Sequence, residues 1–183
     1  MWKLLTFLFA SLALVYISRA SLRHAGSHGF FRFLAWECIL LLFLLNVELW
    51  FSDPFSWYQL ISWTLLFASL APLILGVRSL RRRGEPTAER PADPSLLAFE
   101  KTTALVTTGV YAYIRHPLYS SLLLLDWGIF FKNPGLTGGL LAAVTTAFLF
   151  ATSMADEREC VRFFGEPYRT YMQSTRRFIP FLF

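Results

Sequence analysis

Residues 33–50 read FLAWECILLLFLLNVELW, an apolar run broken only by Glu37, Asn46 and Glu48. No alternation of polar residues sets one face toward water, and a helix crossing the hydrocarbon core needs about 20 such residues. In hydrocarbon the backbone must close its own hydrogen bonds, which a helix does. Working outward, comparable blocks occupy residues 2–17, 57–77, 117–131 and 136–154. The fold expected is all-α: a polytopic membrane protein of about five transmembrane helices with a cytoplasmic C-terminal helical segment. With 55% hydrophobic and 17% aromatic residues among 183, the chain has more apolar surface than a soluble globule of this size buries.

The gaps punctuate this pattern. Lys3 ahead of the hydrophobic run suggests a signal peptide, but Arg19 and Arg23 follow where a cleavage site would carry small residues, so a retained helix is expected. Asp53-Pro54 ends the second block, and Lys132-Asn133-Pro134-Gly135 turns the fourth helix back into the fifth as a hairpin. The chain divides into three N-terminal helices (1–77), a cytoplasmic loop (78–104), and the hairpin with its C-terminal segment (105–183), all one membrane domain. Within the loop, Gly84-Glu85-Pro86 to Asp93-Pro94 is Pro-rich and charged and reads as exposed.

Charge then sets direction. Arg19, Arg23 and Arg32 fill the first gap and Arg78, Arg81, Arg82 and Arg83 the third, whereas the Asp53 gap holds no Lys or Arg. The N-terminus is therefore expected outside and the C-terminus in the cytoplasm, in keeping with Arg158, Arg162, Arg169, Arg176 and Arg177. The net charge of +5 is spread over these gaps without an aromatic-interleaved basic face, which argues against nucleic acid. Cys38 and Cys160 have no ligand spacing, and neither a disulfide framework nor a metal is expected.

Two polar clusters fall on the cytoplasmic face. Leu105-Val106-Thr107-Thr108-Gly109-Val110-Tyr111 leads into Tyr113-Ile114-Arg115-His116-Pro117-Leu118-Tyr119. Pro117 suits the first helical position, where its missing N–H costs nothing, and leaves His116 at the cap, where backbone donors, the helix dipole and Arg115 favour an anion. The second cluster is Asp156-Glu157-Arg158-Glu159, followed by Phe163-Phe164-Gly165-Glu166-Pro167-Tyr168 and Tyr171. Its carboxylates suit a cation, an amine or ribose hydroxyls. An amino-acid-bearing nucleoside with a positive sulfonium would use both clusters and their aromatic faces.

Leu-Val-Thr-x-Gly-x-Tyr from Leu105, then Arg-His-Pro-x-Tyr from Arg115, a hydrophobic hairpin, an acidic pair, Phe-Gly-x-x-Tyr-x-x-Tyr from Phe164 and a closing Phe178-Ile179-Pro180 form an ordered set. It resembles the isoprenylcysteine carboxyl methyltransferase and phospholipid methyltransferase superfamily, from about Phe99 to the C-terminus; the first three helices match only in hydrophobicity. The resemblance implies an S-adenosylmethionine-dependent membrane methyltransferase. Its cofactor contacts would be Leu105, Val106, Tyr111, His116, Pro117, Leu118 and Tyr119 with Asp156 and Glu157, and Arg115 would have a positioning role in catalysis. Asp156 stands where the family usually has glutamate, Ser121 replaces a common glycine and Cys160 a usual leucine. Thr152 occupies the position where eukaryotic prenylcysteine enzymes have an arginine attributed to the substrate carboxylate. That departure turns the expectation away from prenylcysteine and leaves a phospholipid amine, a lipophilic thiol or another lipid-soluble carboxylate as acceptor.

Simpler readings exist for each residue. Alone, Arg115 is an inner-face anchor, His116 a helix cap, Tyr111, Tyr113 and Tyr119 interfacial belt aromatics, and Asp156 to Glu159 a solvated turn. Motif order moves all of these except Tyr113 into a site. His24 and His28 read as exposed loop residues with no role. Acids facing lipid at the bilayer centre would cost roughly 2.5–3.5 kcal/mol each, so Asp126 is expected inward, either pairing with Asn46 or a hydroxyl or lining the acceptor cavity. Glu37 is the other candidate for that cavity. Aligning a nucleophile with a sulfonium and excluding water needs no dedicated base. The acceptor would come laterally from the bilayer of what is expected to be a bacterial inner membrane. A related NADPH-dependent membrane reductase, without a Rossmann fingerprint to mark it, and a non-catalytic membrane scaffold are the competing functions.

Overall fold

The computed structural model describes residues 1–85 and 100–179. The Pro-rich stretch from Pro86 to Phe99, expected as an exposed loop, lies outside the described residues, as does Pro180 of the closing motif. The described chain is helical: α1 (Trp2–Ser18), α2 (His28–Asn46), α3 (Trp57–Arg83), α4 (Pro117–Phe130), α5 (Leu136–Phe164) and α6 (Glu166–Ser174), with 3-10 turns at Ser21–Arg23, Val47–Leu49 and Gly109–Ala112. Among the described residues no strand forms beyond a single parallel bridge between Ile114 and Arg176.

The expected boundaries shift where charge and helix part company. Helix α2 begins at His28, not near residue 33, because Ser27 caps it: Ser27 Oγ accepts from Phe30 N–H at 3.2 Å. His28 is therefore a buried helical residue, 1% exposed, and the loop placement expected for it is corrected; His24 is exposed as expected. Helix α3 runs through Arg83, six residues past the apolar block, because arginine is a good helix former and favours a helix C-terminus. Helix α5 continues through the acidic cluster to Phe164, so Asp156 to Glu159 are helical and not a turn. It ends at Gly165, whose φ of 67° is open to glycine.

Helices α2, α3 and α5 are long and apolar enough to cross a membrane; α1 and α4 are apolar but shorter. At 1.5 Å per residue, α4 spans only about 21 Å, short of a ~30 Å core, while α5 reaches about 43 Å and carries its charged last turns beyond it. Large apolar side chains such as Phe9, Leu12, Phe67, Ile74 and Leu140 are exposed, a surface that calls for lipid.

Helix α2 packs mainly on α5 and α3 on α4, with α1 laid against α2. Ile39, Leu42, Ile129 and Ala142 join α2, α4 and α5 in one core cluster. The α3–α4 contact is close: a Cβ on Gly128 would fall 2.9 Å from Leu66 Cδ2, and Ser62 Oγ donates to Gly128 O at 2.7 Å. Gly76 similarly admits Pro117 and Leu118, drawing the start of α4 onto the end of α3. At the opposite end of this pair, buried Lys132 Nζ donates to Gln59 Oε1 at 2.9 Å and lies 3.5 Å from the centre of the Trp63 ring. Gln59 Nε2 donates to Leu49 O and Lys132 O, binding the α4–α5 turn to the turn before α3.

Candidate functional site

The approach to α4 is built by local geometry. Gly109 (φ 70°) turns the chain beside Ser79, and the following 3-10 turn buries Tyr111. Pro117 opens α4 with His116 as its cap residue. The stretch after α6 then lies alongside: Arg115 N–H donates to Arg176 O at 2.8 Å, His116 N–H to Arg177 O at 3.1 Å, and Arg176 N–H to Tyr113 O at 3.1 Å. Tyr171 Oη donates to Tyr111 O at 2.6 Å, fixing α6 over the same turn.

Glu157 sits at the centre of this junction. Its carboxylate accepts from Arg115 Nε at 2.8 Å and Arg177 Nη2 at 2.6 Å, and His116 Nε2 lies 3.3 Å away. Asp156 Oδ2 approaches His116 Nδ1 at 3.4 Å. Burial alone would lower the His116 pKa, but its hydrogen bonds to Asp156 and Glu157, with their charges, raise it above the ordinary value near 6.5. Arg115 Nη1 also donates to Met172 O at 3.1 Å and to Thr175 O, so its guanidinium joins three segments. Burial, followed by the charge of Glu100, pushes Tyr111 well above its ordinary pKa; burial does the same to Tyr168 and Tyr171. These phenols stay neutral.

Beside this network is a cavity. Leu105, Val106, Tyr111, Arg115, His116, Pro117, Leu118, Tyr119 and Asp156 all line it. Glu157 does not; its carboxylate is turned to the arginines. Glu100, Cys160, Phe164, Tyr168 and Tyr171 also line the cavity. Cys160 Sγ donates to Asp156 Oδ1 at 3.5 Å. Tyr113 stays out, 57% exposed.

From the far side, α2 reaches in. Arg32 Nη1 donates to both oxygens of Glu100, at 3.0 and 2.8 Å, and the arginine is 4% exposed. His28 N–H donates to Glu159 Oε1 at 3.0 Å, and His28 Nδ1 bonds the other oxygen of the same carboxylate. His28, Asp156 and Glu159 present atoms within 4.8 Å of one another, a spacing that a cation would tolerate. The imidazole–carboxylate hydrogen bond joins two of the three, His28 and Glu159.

Asp126 and Glu37 are elsewhere. Asp126 is fully buried inside the bundle, and Asn46, its expected partner, donates instead to Leu42 O and Ile129 O. Neither Asp126 oxygen has a hydrogen-bond partner among the described residues; Thr145 gives its hydroxyl to Leu141 O. Glu37 accepts from Ser11 Oγ at 2.9 Å, facing α1. Neither acid lines the cavity or the groove described next.

On the other side of His116 lies an apolar groove of about 790 Å³ between α3, α4, α5 and the C-terminal stretch. Leu65, Pro72, Leu123, Trp127, Phe150 and Phe178 are among its lining residues. Phe178 belongs to the partition: its ring is 6.1 Å from that of His116, and its carbonyl accepts from Ser120 Oγ at 2.9 Å.

The sequence showed most of the cavity wall but not Leu80, Glu100 or Thr102, and it did not foresee the pairing of Arg32, His28 and Arg177 with the acids around that wall. Arg32–Glu100 and His28–Glu159 join residues 68 and 131 positions apart, which no local motif encodes. Arg177, in the pair just before Phe178-Ile179, was the one with an adjacent signal.

Residues 94–161 match the isoprenylcysteine carboxyl methyltransferase (ICMT) family. The chain is 36% identical over 76 residues to methanethiol S-methyltransferase 1 of Bradyrhizobium diazoefficiens, a match covering 40% of this chain and 25% of that protein. It is 33% identical over 78 residues to the methanethiol S-methyltransferase of Crocosphaera subtropica (42% and 29%) and 31% over 97 to that of Pseudomonas deceptionensis (52% and 33%). The matches thus span a quarter to a third of these relatives. No solved structure matches the chain.

Proposed function

We propose, from the match of residues 94–161 to the isoprenylcysteine carboxyl methyltransferase family and the likeness to membrane methyltransferases over part of their length, that this chain is a methyltransferase of that kind and transfers a methyl group from S-adenosylmethionine to a lipophilic acceptor at the cytoplasmic membrane face. The observation that carries this reading is the juxtaposition of a cavity lined by carboxylates, His116 and tyrosines with an apolar groove lined by Phe178, whose ring lies 6.1 Å from that of His116.

The donor set fits such a cofactor. Asp156 offers a carboxylate to hydroxyl or ammonium groups, the rings of Tyr111, Tyr119 and Tyr168 offer electron-rich faces to a cation, and Val106, Pro117 and Leu118 offer apolar contact to a flat base. The cavity measures about 100 Å³, below the several hundred of typical ligand pockets, so admitting a nucleoside requires its lining side chains to move apart. When bound, S-adenosylmethionine supplies an electrophilic methyl group on a positive sulfonium. The chain's residues supply position: Arg115, through Glu157 and residues 172 and 175, keeps the α4 entrance and α6 together, and the aromatic wall excludes water.

For the acceptor, the groove has almost wholly apolar walls, and Ser120, Thr146 and Trp127 spend their polar atoms inside the protein. Arg115 and Arg177 are engaged by Glu157, and Thr152 bonds Phe148 O. Among the described residues the groove lining carries no charged side chain to meet a substrate carboxylate, which favours a neutral lipophilic thiol, an acceptor class related to the methanethiol named in the relatives. The chain lies with its N-terminus outside and its C-terminus in the cytoplasm of a bacterial inner membrane.

The test uses the full chain in lipid nanodiscs. Labelled S-adenosylmethionine should bind saturably and be displaced by its demethylated product but not by NADPH. Methyl transfer to alkyl thiols should then rise with chain length, because each buried methylene is worth about 0.8 kcal/mol, roughly fourfold. NADPH binding, or equal activity on short water-soluble thiols, would overturn the proposal.

A further inference from the structure

The acidic pair Asp156-Glu157 is divided in space, since only Asp156 lines the cavity while Glu157 is occupied by Arg115, His116 and Arg177. The cavity nevertheless has a second carboxylate. Glu100 lines it, and both oxygens of Glu100 accept from Arg32 on α2. Arg32 is itself buried, with its guanidinium 5.0 Å from the centre of the Trp36 ring.

Placing a second acid near Asp156 is unfavourable unless a cation offsets it, and desolvating an arginine is costly without a partner. A buried ion pair that served packing alone could be replaced by apolar side chains at little cost. This one sits where a ligand would meet it, in the same lining as Tyr111, Asp156 and Tyr168.

We propose that Glu100, oriented by Arg32, is the second donor-binding carboxylate of the pocket, accepting hydrogen bonds from hydroxyl or ammonium groups of S-adenosylmethionine. Glu157 instead holds the wall. Helix α2, outside the family-matched residues 94–161, thereby becomes part of the binding site through Arg32 as a positioning residue. The inference rests on the methyl-donor reading above and would fail separately from it.

The experiment is equilibrium dialysis of labelled S-adenosylmethionine and of S-adenosylhomocysteine against the full chain in lipid nanodiscs. Absence of binding by the native chain would remove the donor reading itself. With native binding established, Glu100→Gln should weaken both ligands roughly ten- to a hundredfold, the size of a lost hydrogen bond to a charged group. The double variant Arg32→Met/Glu100→Met removes the ion pair without stranding either charge, and should remain weak in binding while keeping the native unfolding temperature. Native-like affinity in either variant would overturn the assignment. If both variants unfold, hydrogen exchange of the native chain decides: saturation with S-adenosylmethionine should slow exchange over residues 100–106, and unchanged exchange there would overturn it.

Discussion

The two ends of the bundle bury polar side chains in opposite ways. At the Lys132 end, one ammonium is enclosed by Gln59, Trp50 and Trp63, with no carboxylate contact among the described residues, and each polar contact closes a turn. At the Glu157 end, two arginines and a histidine converge on one carboxylate, and the network forms the wall of a cavity. The first arrangement joins helix ends and no more. The second joins the start of α4, the end of α5 and the stretch after α6, and its charges border a cavity. Buried charge beside a cavity is a stronger functional signal than buried charge in packing.

The sharpest way to break this contrast is to remove one residue from each end. Glu157→Ala leaves Arg115, His116 and Arg177 without their shared counter-charge and should cost about 3–5 kcal/mol, read as a fall in denaturation midpoint in detergent. A loss below about 1 kcal/mol would mean the network is an ordinary surface pairing.

Acidity separates the ends next. A His116 pKa raised in the folded chain contributes stability that is fully present below its unfolded value and is lost as pH rises through the raised value. Burial lowers Lys132 to about 8, so its contribution has the opposite sign: stability increases as pH rises from about 8 toward the ordinary lysine value. Thermal unfolding measured against pH should therefore lose its decline above the ordinary histidine value in His116→Asn and its alkaline gain in Lys132→Met. Identical profiles for the two variants would contradict the assignment.

At neutral pH the effect of Lys132→Met should be small, within about 1 kcal/mol, since a similar apolar volume replaces a desolvated ammonium. Asp126→Asn should change least. It removes a buried carboxylate that makes no hydrogen bond among the described residues, so the unfolding temperature should hold or rise. A large loss there would show that Asp126 has a partner within the bundle.

Apolar runs and breakers were enough to locate the helices. Pro117 marked the start of α4, and Lys132-Asn133-Pro134-Gly135 marked the turn before α5. Helix ends were legible only where glycine or proline punctuated them. Arg78 to Arg83 and Asp156 to Arg162 ended the hydropathy signal but not the helices, because charge forbids hydrocarbon, not helical backbone. The cavity wall from Leu105 to Tyr119 was legible because those residues are close in sequence. Glu100 and Arg32 were not, since their meaning comes from a contact between α2 and a distant segment. Sequence alone also left the roles of Asp156 and Glu157 undivided: adjacent helical residues point about 100° apart, so one faces the cavity and the other the arginines.

Enclosure of one small molecule by the α4 entrance and the end of α5 can be read out by photo-crosslinking. Labelled S-adenosylmethionine, irradiated on the native chain in nanodiscs and mapped by peptide mass spectrometry, should mark residues from both 105–119 and 156–171, with both marks suppressed by excess S-adenosylhomocysteine. Label confined to one stretch, or found at the Lys132 end, would contradict the account.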